Sequence, residues 1–170
     1  MDGMTSTENT TPATGDHTTD GRPHAYSSLT PFIVVSPARD AIEFYRSVFD
    51  ASVGGVTEID GVVAHAELQF PEGRLQLGEP SPTYDLAVPT PGSPAIYSLA
   101  IYVPDVDAAV TRAVDAGATV REQPMTFVSG DRFASVLDPF GVRWSVMTRV
   151  VDISPEESER RVADWAADQG

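Results

Sequence analysis

The chain has 170 residues, no cysteine and a formal net charge of −14 at pH 7. Its length allows one domain with a core of its own, and the lack of cysteine excludes disulfides, a thiol nucleophile and cysteine-ligated zinc. The negative charge argues against nucleic-acid binding, which needs a basic face, and favours the approach of cationic ligands.

Nothing in the sequence marks a membrane or secretory segment. No stretch approaches the roughly 20 apolar residues of a membrane span, and no basic region followed by an apolar run marks a signal peptide. We therefore expect a cytoplasmic protein without membrane contact.

The N-terminal segment, 1–27, is rich in Thr, Gly, Asp and Ser and nearly lacks large aliphatic side chains. Such a segment buries too little apolar surface to offset the entropy that it loses on ordering. We predict a disordered tail over 1–27 and discount its two histidines, His17 and His24, as metal ligands.

The next segment, 28–79, predicts one strand, one helix and three more strands. The first strand covers 29–35. Ser36 and Pro37 have the order of an N-cap and a first-turn proline, and the apolar residues up to Phe49 have the spacing of a one-sided helix. The three strands that follow are predicted at 51–59, 62–70 and 74–79.

A proline-rich linker at 80–95 leads to a second module, 96–153, with the same plan. It predicts a strand at 96–103, a helix at 106–116 with Asp105 as its N-cap, and strands at 119–125, 132–138 and 143–149. After it, Ser154-Pro155-Glu156-Glu157 is a capping box, which predicts a C-terminal helix within 154–170.

The two modules also repeat in residue pattern. Ile33-Val34-Val35-Ser36-Pro37 returns in the second module as Ile101-Tyr102-Val103-Pro104-Asp105, and Gly73 returns as Gly141 at the same offset. A long period seen only twice indicates a duplicated unit and not a solenoid. The predicted fold is therefore α+β, two βαβββ modules with pseudo-twofold symmetry and a cleft between them.

Two duplicated βαβββ units resemble the vicinal oxygen chelate superfamily, the fold of glyoxalase I, extradiol dioxygenases and bleomycin- or fosfomycin-resistance proteins. The resemblance covers about 28–153 and implies the glyoxalase/bleomycin resistance/dioxygenase fold and a homodimer. Ser129 and Val142 stand where the PhnB-like, glyoxalase-like branch often has Trp and His. The stretches most similar to that branch are Ala64-His65-Ala66-Glu67-Leu68, Gly130-Asp131-Arg132-Phe133, Asp138-Pro139-Phe140-Gly141-Val142-Arg143-Trp144 and Asp152-Ile153-Ser154-Pro155-Glu156-Glu157.

Metal-dependent members place one ligand on the first and last strand of each module. The resemblance puts these positions at Thr30, Gln76, Ser98 and Ser145. None is His, Asp or Glu, and neutral hydroxyl and amide groups bind a divalent first-row ion poorly. We therefore predict that the shared metal site is lost and that no cofactor binds.

The strand at 63–70 has polar residues on one face and apolar residues on the other. Because the apolar face must pack under the helices, we expect the polar face to line the cleft. His65 and Glu67, about 7 Å apart on that face, are the candidate acid/base pair, and a solvated strand face is the alternative. Asp131 and Arg132 form either a clamp for a polar ligand or a loop pair. The predicted ligand-binding residues are His65, Glu67, Gln76, Ser98, Tyr102, Arg132, Arg143 and Ser145.

The leading hypothesis is a metal-independent protein that binds an organic small molecule, and sequesters an antibiotic or metabolite as bleomycin-resistance proteins do. The negative charge favours a cationic ligand. One alternative is a metal-dependent glyoxalase-type lyase, isomerase or dioxygenase with displaced ligands such as His65 and Glu67. Another is a metal-free enzyme with His65 as its base.

Overall fold

A computed structural model describes residues 10–169 of the chain. No helix within this part of the chain is long and apolar enough to cross a membrane. The elements, in chain order, are β1 (Thr18–Thr19), β2 (Arg22–Pro23), β3 (Phe32–Val34), α1 (Ala38–Phe49), β4 (Ser52–Ile59), β5 (Val62–Gln69), β6 (Arg74–Gly78), a 3₁₀ turn (Pro82–Tyr84), β7 (Ser98–Tyr102), α2 (Val106–Asp115), β8 (Thr119–Thr126), β9 (Asp131–Leu137), β10 (Arg143–Arg149) and α3 (Pro155–Ala167).

The two modules form two four-stranded sheets of the same design. Their strand orders are β3-β6-β5-β4 and β7-β10-β9-β8. In each sheet the first strand pairs in parallel with the last, and the remaining neighbours are antiparallel. The predicted α+β fold of two repeated βαβββ modules is confirmed.

The helix ends follow local chemistry, with one exception. Asp105 accepts a hydrogen bond from the Ala108 amide at α2, and Ser154 accepts one from the Glu157 amide at α3, as predicted. The prediction for α1 was wrong by one position. Pro37 occupies the N-cap and has no side-chain cap bond, and Glu79, which follows β6, accepts the Ala38 amide hydrogen bond at 2.5 Å instead.

One hydrophobic core joins both modules, and it lies between the sheets and helices α1 and α2. Trp144 of β10 contacts the rings of Tyr45 and Phe49 on α1, with centroid distances of 5.2 and 4.7 Å. The Arg112 guanidinium of α2 donates to the Val48 carbonyl of α1 at 2.9 Å. The helices therefore hold the two modules together.

Asp138, which follows β9, is a buried carboxylate at this junction. Its Oδ2 accepts hydrogen bonds from Tyr45 Oη at 2.7 Å and Trp144 Nε1 at 3.0 Å. Its Oδ1 accepts the amide N–H groups of Phe140 and Val142, both at 2.9 Å. Burial raises the pKa of Asp138, and the four hydrogen bonds oppose that rise.

The N-terminal segment differs from its prediction. Residues 10–27 carry a short hairpin of β1 and β2, and Tyr26 packs on the face of β5 and β6. Most of the segment is exposed, which fits its poverty in aliphatic residues. A single aromatic side chain, Tyr26, anchors the segment, and a prediction from overall composition does not detect one such residue. The part of the disorder prediction that concerns 1–9 lies outside the described residues.

The C-terminal helix α3 packs on the turn between β8 and β9. Trp165 meets Phe127 edge to face at a centroid distance of 5.0 Å, and Ser158 Oγ donates to the Ser129 carbonyl at 2.9 Å. The predicted helix is present, and it covers the second module.

Gly78 at the end of β6 lies where a side chain does not fit. A Cβ there would lie 2.5 Å from the Ala64 carbonyl oxygen and 3.1 Å from the Phe32 ring. We expect Gly78→Ala to lower the free energy of unfolding by about 1–3 kcal/mol, because the strands must move apart. Urea denaturation measures this loss.

Gly55→Ala is the matched control for this prediction. Gly55 is also a strand residue, and nothing lies within 4 Å of the Cβ that it would carry. Equal stability of the two variants would contradict the steric argument.

Candidate functional site

The polar face of module one is built by β5 and β6. Alternation along β5 leaves His65, Glu67 and Gln69 half-buried on one face, while Ala66 and Leu68 are buried on the other, as predicted. The antiparallel register sets Glu67 opposite Gln76, and Gln69 opposite the first residue of β6. Side chains from both strands therefore converge on one surface.

Glu67 is the centre of this surface. Its Oε2 accepts hydrogen bonds from Arg74 Nη1 and Tyr26 Oη, both at 2.9 Å, and its Oε1 accepts one from Gln76 Nε2 at 3.1 Å. The Arg74 guanidinium lies 3.7 Å from the centre of the Tyr26 ring, within cation–π range. We call Tyr26, Glu67, Arg74 and Gln76 the module-one cluster.

The electrostatics of Glu67 reflect these partners. Partial burial by itself would raise the pKa of the carboxyl group. Hydrogen bonds from Tyr26 and Gln76, together with the charges of Arg74 and His65, outweigh that effect and lower the pKa. Glu67 is therefore held as a carboxylate, an acceptor of hydrogen bonds and a poor proton donor near neutral pH.

The second module presents a related set, which we call the module-two cluster: Ser98, Glu122, Ser135, Arg143 and Ser145. Glu122 Oε2 accepts hydrogen bonds from Arg143 Nη2 at 2.5 Å and Ser135 Oγ at 2.6 Å. The hydroxyls of Ser98 and Ser145 are 2.9 Å apart and hydrogen-bonded. Arg143 Nη1 also donates to Ser145 Oγ at 3.3 Å. An Arg–Glu pair therefore marks each module.

The duplication explains this likeness and one difference. Arg74 and Arg143 are repeat positions, and each begins the last strand of its module. The carboxylates are not equivalent, because Glu67 lies on β5 whereas Glu122 lies on β8. The module-one counterpart of Glu122, at the offset that relates Gly73 to Gly141, is Gly54. A Cβ on Gly54 would lie 3.4 Å from the Glu67 Cβ. The acidic residue of the pair therefore lies on a different strand in each module, and Gly54 places no side chain beside Glu67.

Three predicted ligand-binding residues lie away from the clusters or at their margin. The His65 ring stacks on Phe32 at a centroid distance of 6.1 Å. Tyr102 Oη donates to Asp131 Oδ1 at 3.3 Å, and this carboxylate also binds Arg149. Arg132 points the other way and binds Asp107 of α2 at 2.5 and 2.7 Å. Neighbouring strand residues face opposite sides, so residues 131 and 132 do not form a clamp.

The structure adds four residues that the sequence interpretation did not select: Tyr26, Arg74, Glu122 and Ser135. Arg74 could have been found as the repeat partner of Arg143. Glu122 could have been found from its alternation on β8 opposite Ser135. Tyr26 carries no sequence signal, since it lies in a segment of disorder-like composition.

The four residues that the resemblance places at metal positions do not have the chemistry of ligands for a divalent ion. Ser98 and Ser145 bind each other, Gln76 binds Glu67, and Thr30 precedes β3. In the part of the chain that the structure describes, no three His, Asp or Glu residues lie close enough to hold an ion. Hydroxyls and one amide are poor donors for such ions, and these positions therefore lack the ligands that would hold one.

A cavity of about 460 Å³ lies where the modules meet. The open edge of β7 forms one wall, with Ser98 and Tyr102, and the turn after β5 forms the other, with Arg74. The apolar lining comes mainly from Pro31, Phe70, Leu75, Leu99, Ile101 and Trp144. The cavity therefore combines an apolar floor with a few polar groups from both modules.

Duplicated βαβββ modules around a shared cavity define an α+β cleft protein. The sequence profile of the Glyoxalase/Bleomycin resistance protein/Dioxygenase superfamily matches residues 16–146. This match covers more than half of the chain, which therefore belongs to that superfamily. Assignment to the PhnB-like branch stays a prediction.

Relatives and solved structures agree with the family. The uncharacterized protein Mb0911c of Mycobacterium bovis is 35% identical over 134 residues, which cover 76% of this chain and 88% of that protein. TioX from Micromonospora sp. ML1 matches with a TM-score of 0.57 at 20% identity, over 75% of this chain and 100% of that one. The fosfomycin resistance protein FosX from Listeria monocytogenes, solved with Mn(II) and sulfate, matches with a TM-score of 0.60 at 11% identity, over 80% and 97%. The two solved structures show the fold alone.

Proposed function

We propose that this chain binds an organic small molecule, without a metal ion, in the cavity between its modules. The observation that carries the proposal is the cavity itself. Its volume of about 460 Å³ is in the range of small-molecule sites, and such sites join a largely apolar wall to a few orienting polar groups. Those groups here are Glu72, Arg74, Ser98 and Tyr102.

The charges of the clusters support recognition by hydrogen bonding. Glu67 is paired with Arg74, and Glu122 with Arg143, so neither cluster carries an excess charge. The formal net charge of −14 acts at longer range and favours the approach of a cationic ligand. Sequestration of an antibiotic or metabolite is the concrete form of this proposal. FosX shares the fold alone, and the Mn(II) in its structure belongs with the metal-dependent alternative.

We infer that a second copy of the chain completes the cleft. Strand β7 is hydrogen-bonded along one edge only, to β10. Directly before this strand in the chain, Ile96 is 93% exposed and Tyr97 is also exposed. A free strand edge beside exposed apolar side chains favours contact with another subunit.

The alternative is an enzyme that uses His65 and Glu67, either as displaced metal ligands or, for His65, as a base. The two residues share one face, and the His65 charge contributes to the lowered pKa of Glu67. However, both carboxylate oxygens of Glu67 already accept hydrogen bonds from Tyr26, Arg74 and Gln76. Metal binding would have to break this set, which favours the binding function.

Native mass spectrometry of the purified protein, before and after EDTA, tests the proposal. We expect a dimer without a stoichiometric divalent ion, and a co-purified organic ligand whose occupancy EDTA leaves unchanged. The reason is that Glu72 is the one carboxylate among the residues that line the cavity, and its other polar groups are poor ligands for a divalent ion.

A stoichiometric ion that is lost in EDTA, in His65→Ala and in Glu67→Ala, but kept in Glu43→Ala, would contradict the proposal. Glu43 is the control because it pairs with Arg46 on the exposed side of α1. Turnover that survives EDTA and fails in His65→Ala would instead establish the metal-free enzyme.

A further inference from the structure

Tyr26 is the anchor of a segment that is otherwise exposed. The side chains of 19–25 lie in solvent, whereas Tyr26 is half-buried against β5 and β6. Within the segment, the Arg22 guanidinium donates to the Tyr26 carbonyl at 2.6 Å and braces the backbone at the ring. The hairpin itself adds no residue to the hydrophobic core. The packing of Tyr26 therefore does not help to form the hydrophobic core. Its side-chain contacts are with Glu67 and Arg74.

The place that the Tyr26 ring occupies has the properties of a binding site for a phenol. The Glu67 carboxylate accepts a hydrogen bond from the phenolic hydroxyl, with 2.9 Å between the two oxygens, and the Arg74 guanidinium lies 3.7 Å from the ring centre. A charged acceptor for the hydroxyl and a cation over the ring recognise an aromatic alcohol by two independent interactions. Neither interaction depends on the peptide backbone of Tyr26.

This place adjoins the cavity between the modules. Arg74 contacts the Tyr26 ring and also lines the cavity wall. A ligand whose phenol replaced the Tyr26 ring could extend past Arg74 toward Ser98 and Tyr102 on the opposite wall. The place of the Tyr26 ring and the cavity therefore have Arg74 in common.

We propose that Tyr26 is a tethered occupant of a phenol-binding subsite, and that a ligand carrying a phenolic ring displaces it. This inference rests on the proposed small-molecule binding and names the chemical class of the ligand. Residues 27–31 alone separate Tyr26 from β3. A tether this short holds the ring at a millimolar effective concentration. Tyr26 therefore competes with a free ligand, yet a ligand with additional contacts in the cavity can replace it.

The test is an NMR titration of the full chain with phenol, anisole and toluene. Removal of a competitor that fills the site most of the time strengthens binding by the inverse of the vacant fraction. We expect Tyr26→Ala to bind phenol about tenfold more tightly than the unmodified chain, on the basis of a site vacant about one-tenth of the time. Anisole, which lacks the hydroxyl hydrogen, should bind Tyr26→Ala much more weakly than phenol does, because it cannot donate to Glu67.

Three further variants make the result specific. Tyr26→Phe keeps the ring beneath Arg74 and loses the hydroxyl. Its affinity for phenol should therefore lie between that of the unmodified chain and that of Tyr26→Ala. Tyr84→Ala is the matched control, because Tyr84 is a 75% exposed tyrosine outside the site, and it should behave as the unmodified chain does. Adding Glu67→Gln to Tyr26→Ala should remove most of the gain.

The probes separate the two proposals. Equal phenol affinity of the unmodified chain, Tyr26→Phe and Tyr26→Ala would overturn the role of Tyr26. If toluene still bound all of these forms with shifts at Leu99 and Ile101, the cavity would remain a small-molecule site. Failure of every probe to shift any cavity residue would count against both proposals.

Discussion

Replacing Asp138 with asparagine is expected to lower the free energy of unfolding by about 3–5 kcal/mol, although the two side chains have nearly the same shape. A buried N–H group loses its acceptor, and the remaining hydrogen bonds no longer go to a charged group. Asp138 is 3% exposed and accepts four hydrogen bonds without donating any. Asparagine keeps one acceptor oxygen and turns the other position into an NH₂ donor. Either orientation of the amide then sets donors against donors in the core.

The geometry shows why neither orientation is tolerated. With the NH₂ group on the backbone side, it meets the amides of Phe140 and Val142. On the other side, the Tyr45 hydroxyl can rotate to accept, but the Trp144 indole N–H has no such freedom. At least one buried N–H is therefore left without an acceptor, at the cost that accompanies an unsatisfied buried group.

Chemical denaturation of Asp138→Asn and Tyr45→Phe separates the effect of the carboxylate on stability from the effect of one of its hydrogen-bond donors. Tyr45→Phe removes one of the four donors and keeps the ring, so we expect a loss of about 1.5–3 kcal/mol, the range for a hydrogen bond to a charged group. A loss in Asp138→Asn no greater than that in Tyr45→Phe would show that the carboxylate does not organise the junction.

The fold was open to prediction because duplication presents the same physical pattern twice. Each helix has an apolar stripe, each strand after it is bounded by Gly or Pro, and the nearly constant offset, as between Gly73 and Gly141, ties the two copies together. The polar face of β5 also follows from alternation alone, since a buried Ala66 and Leu68 force Glu67 to the other side. These features depend on local periodicity, which a sequence displays directly.

The details of the candidate site depend on pairings that periodicity does not show. The Glu79 side chain, far along the chain from α1, caps that helix in place of the local Ser36. Glu122 on β8 corresponds to Gly54 on β4 in the repeat, whereas the carboxylate that pairs with Arg74 is Glu67 on β5. The repeat by itself would therefore place the acidic partner of Arg74 on the wrong strand. Tyr26 reaches Glu67 across a similarly long separation in sequence. Long-range contacts of single side chains decided each of these cases.

Trp144 and Trp165, the two tryptophans of the chain, should differ sharply in their effect on stability. Trp144 is 3% exposed, contacts the rings of Tyr45 and Phe49 and donates its N–H to Asp138. We expect Trp144→Ala to lower the free energy of unfolding by about 3–5 kcal/mol, the range for removing a large aromatic side chain from a core. Trp165 is 42% exposed and meets Phe127 at one edge, so Trp165→Ala should cost only about 0.5–1.5 kcal/mol.

The comparison bears on binding because Trp144 also lines the cavity. Urea denaturation followed by circular dichroism measures both variants without relying on tryptophan fluorescence. If the core shared by the modules fixes the cavity walls, Trp144→Ala should also weaken toluene binding, whereas Trp165→Ala should leave it unchanged. Equal losses of stability in the two variants would mean that the modules do not depend on their common aromatic core. In that case the spacing between the Arg74 wall and the Ser98 wall would have to be set by another contact, for which the Arg112 bond to the Val48 carbonyl is the next candidate.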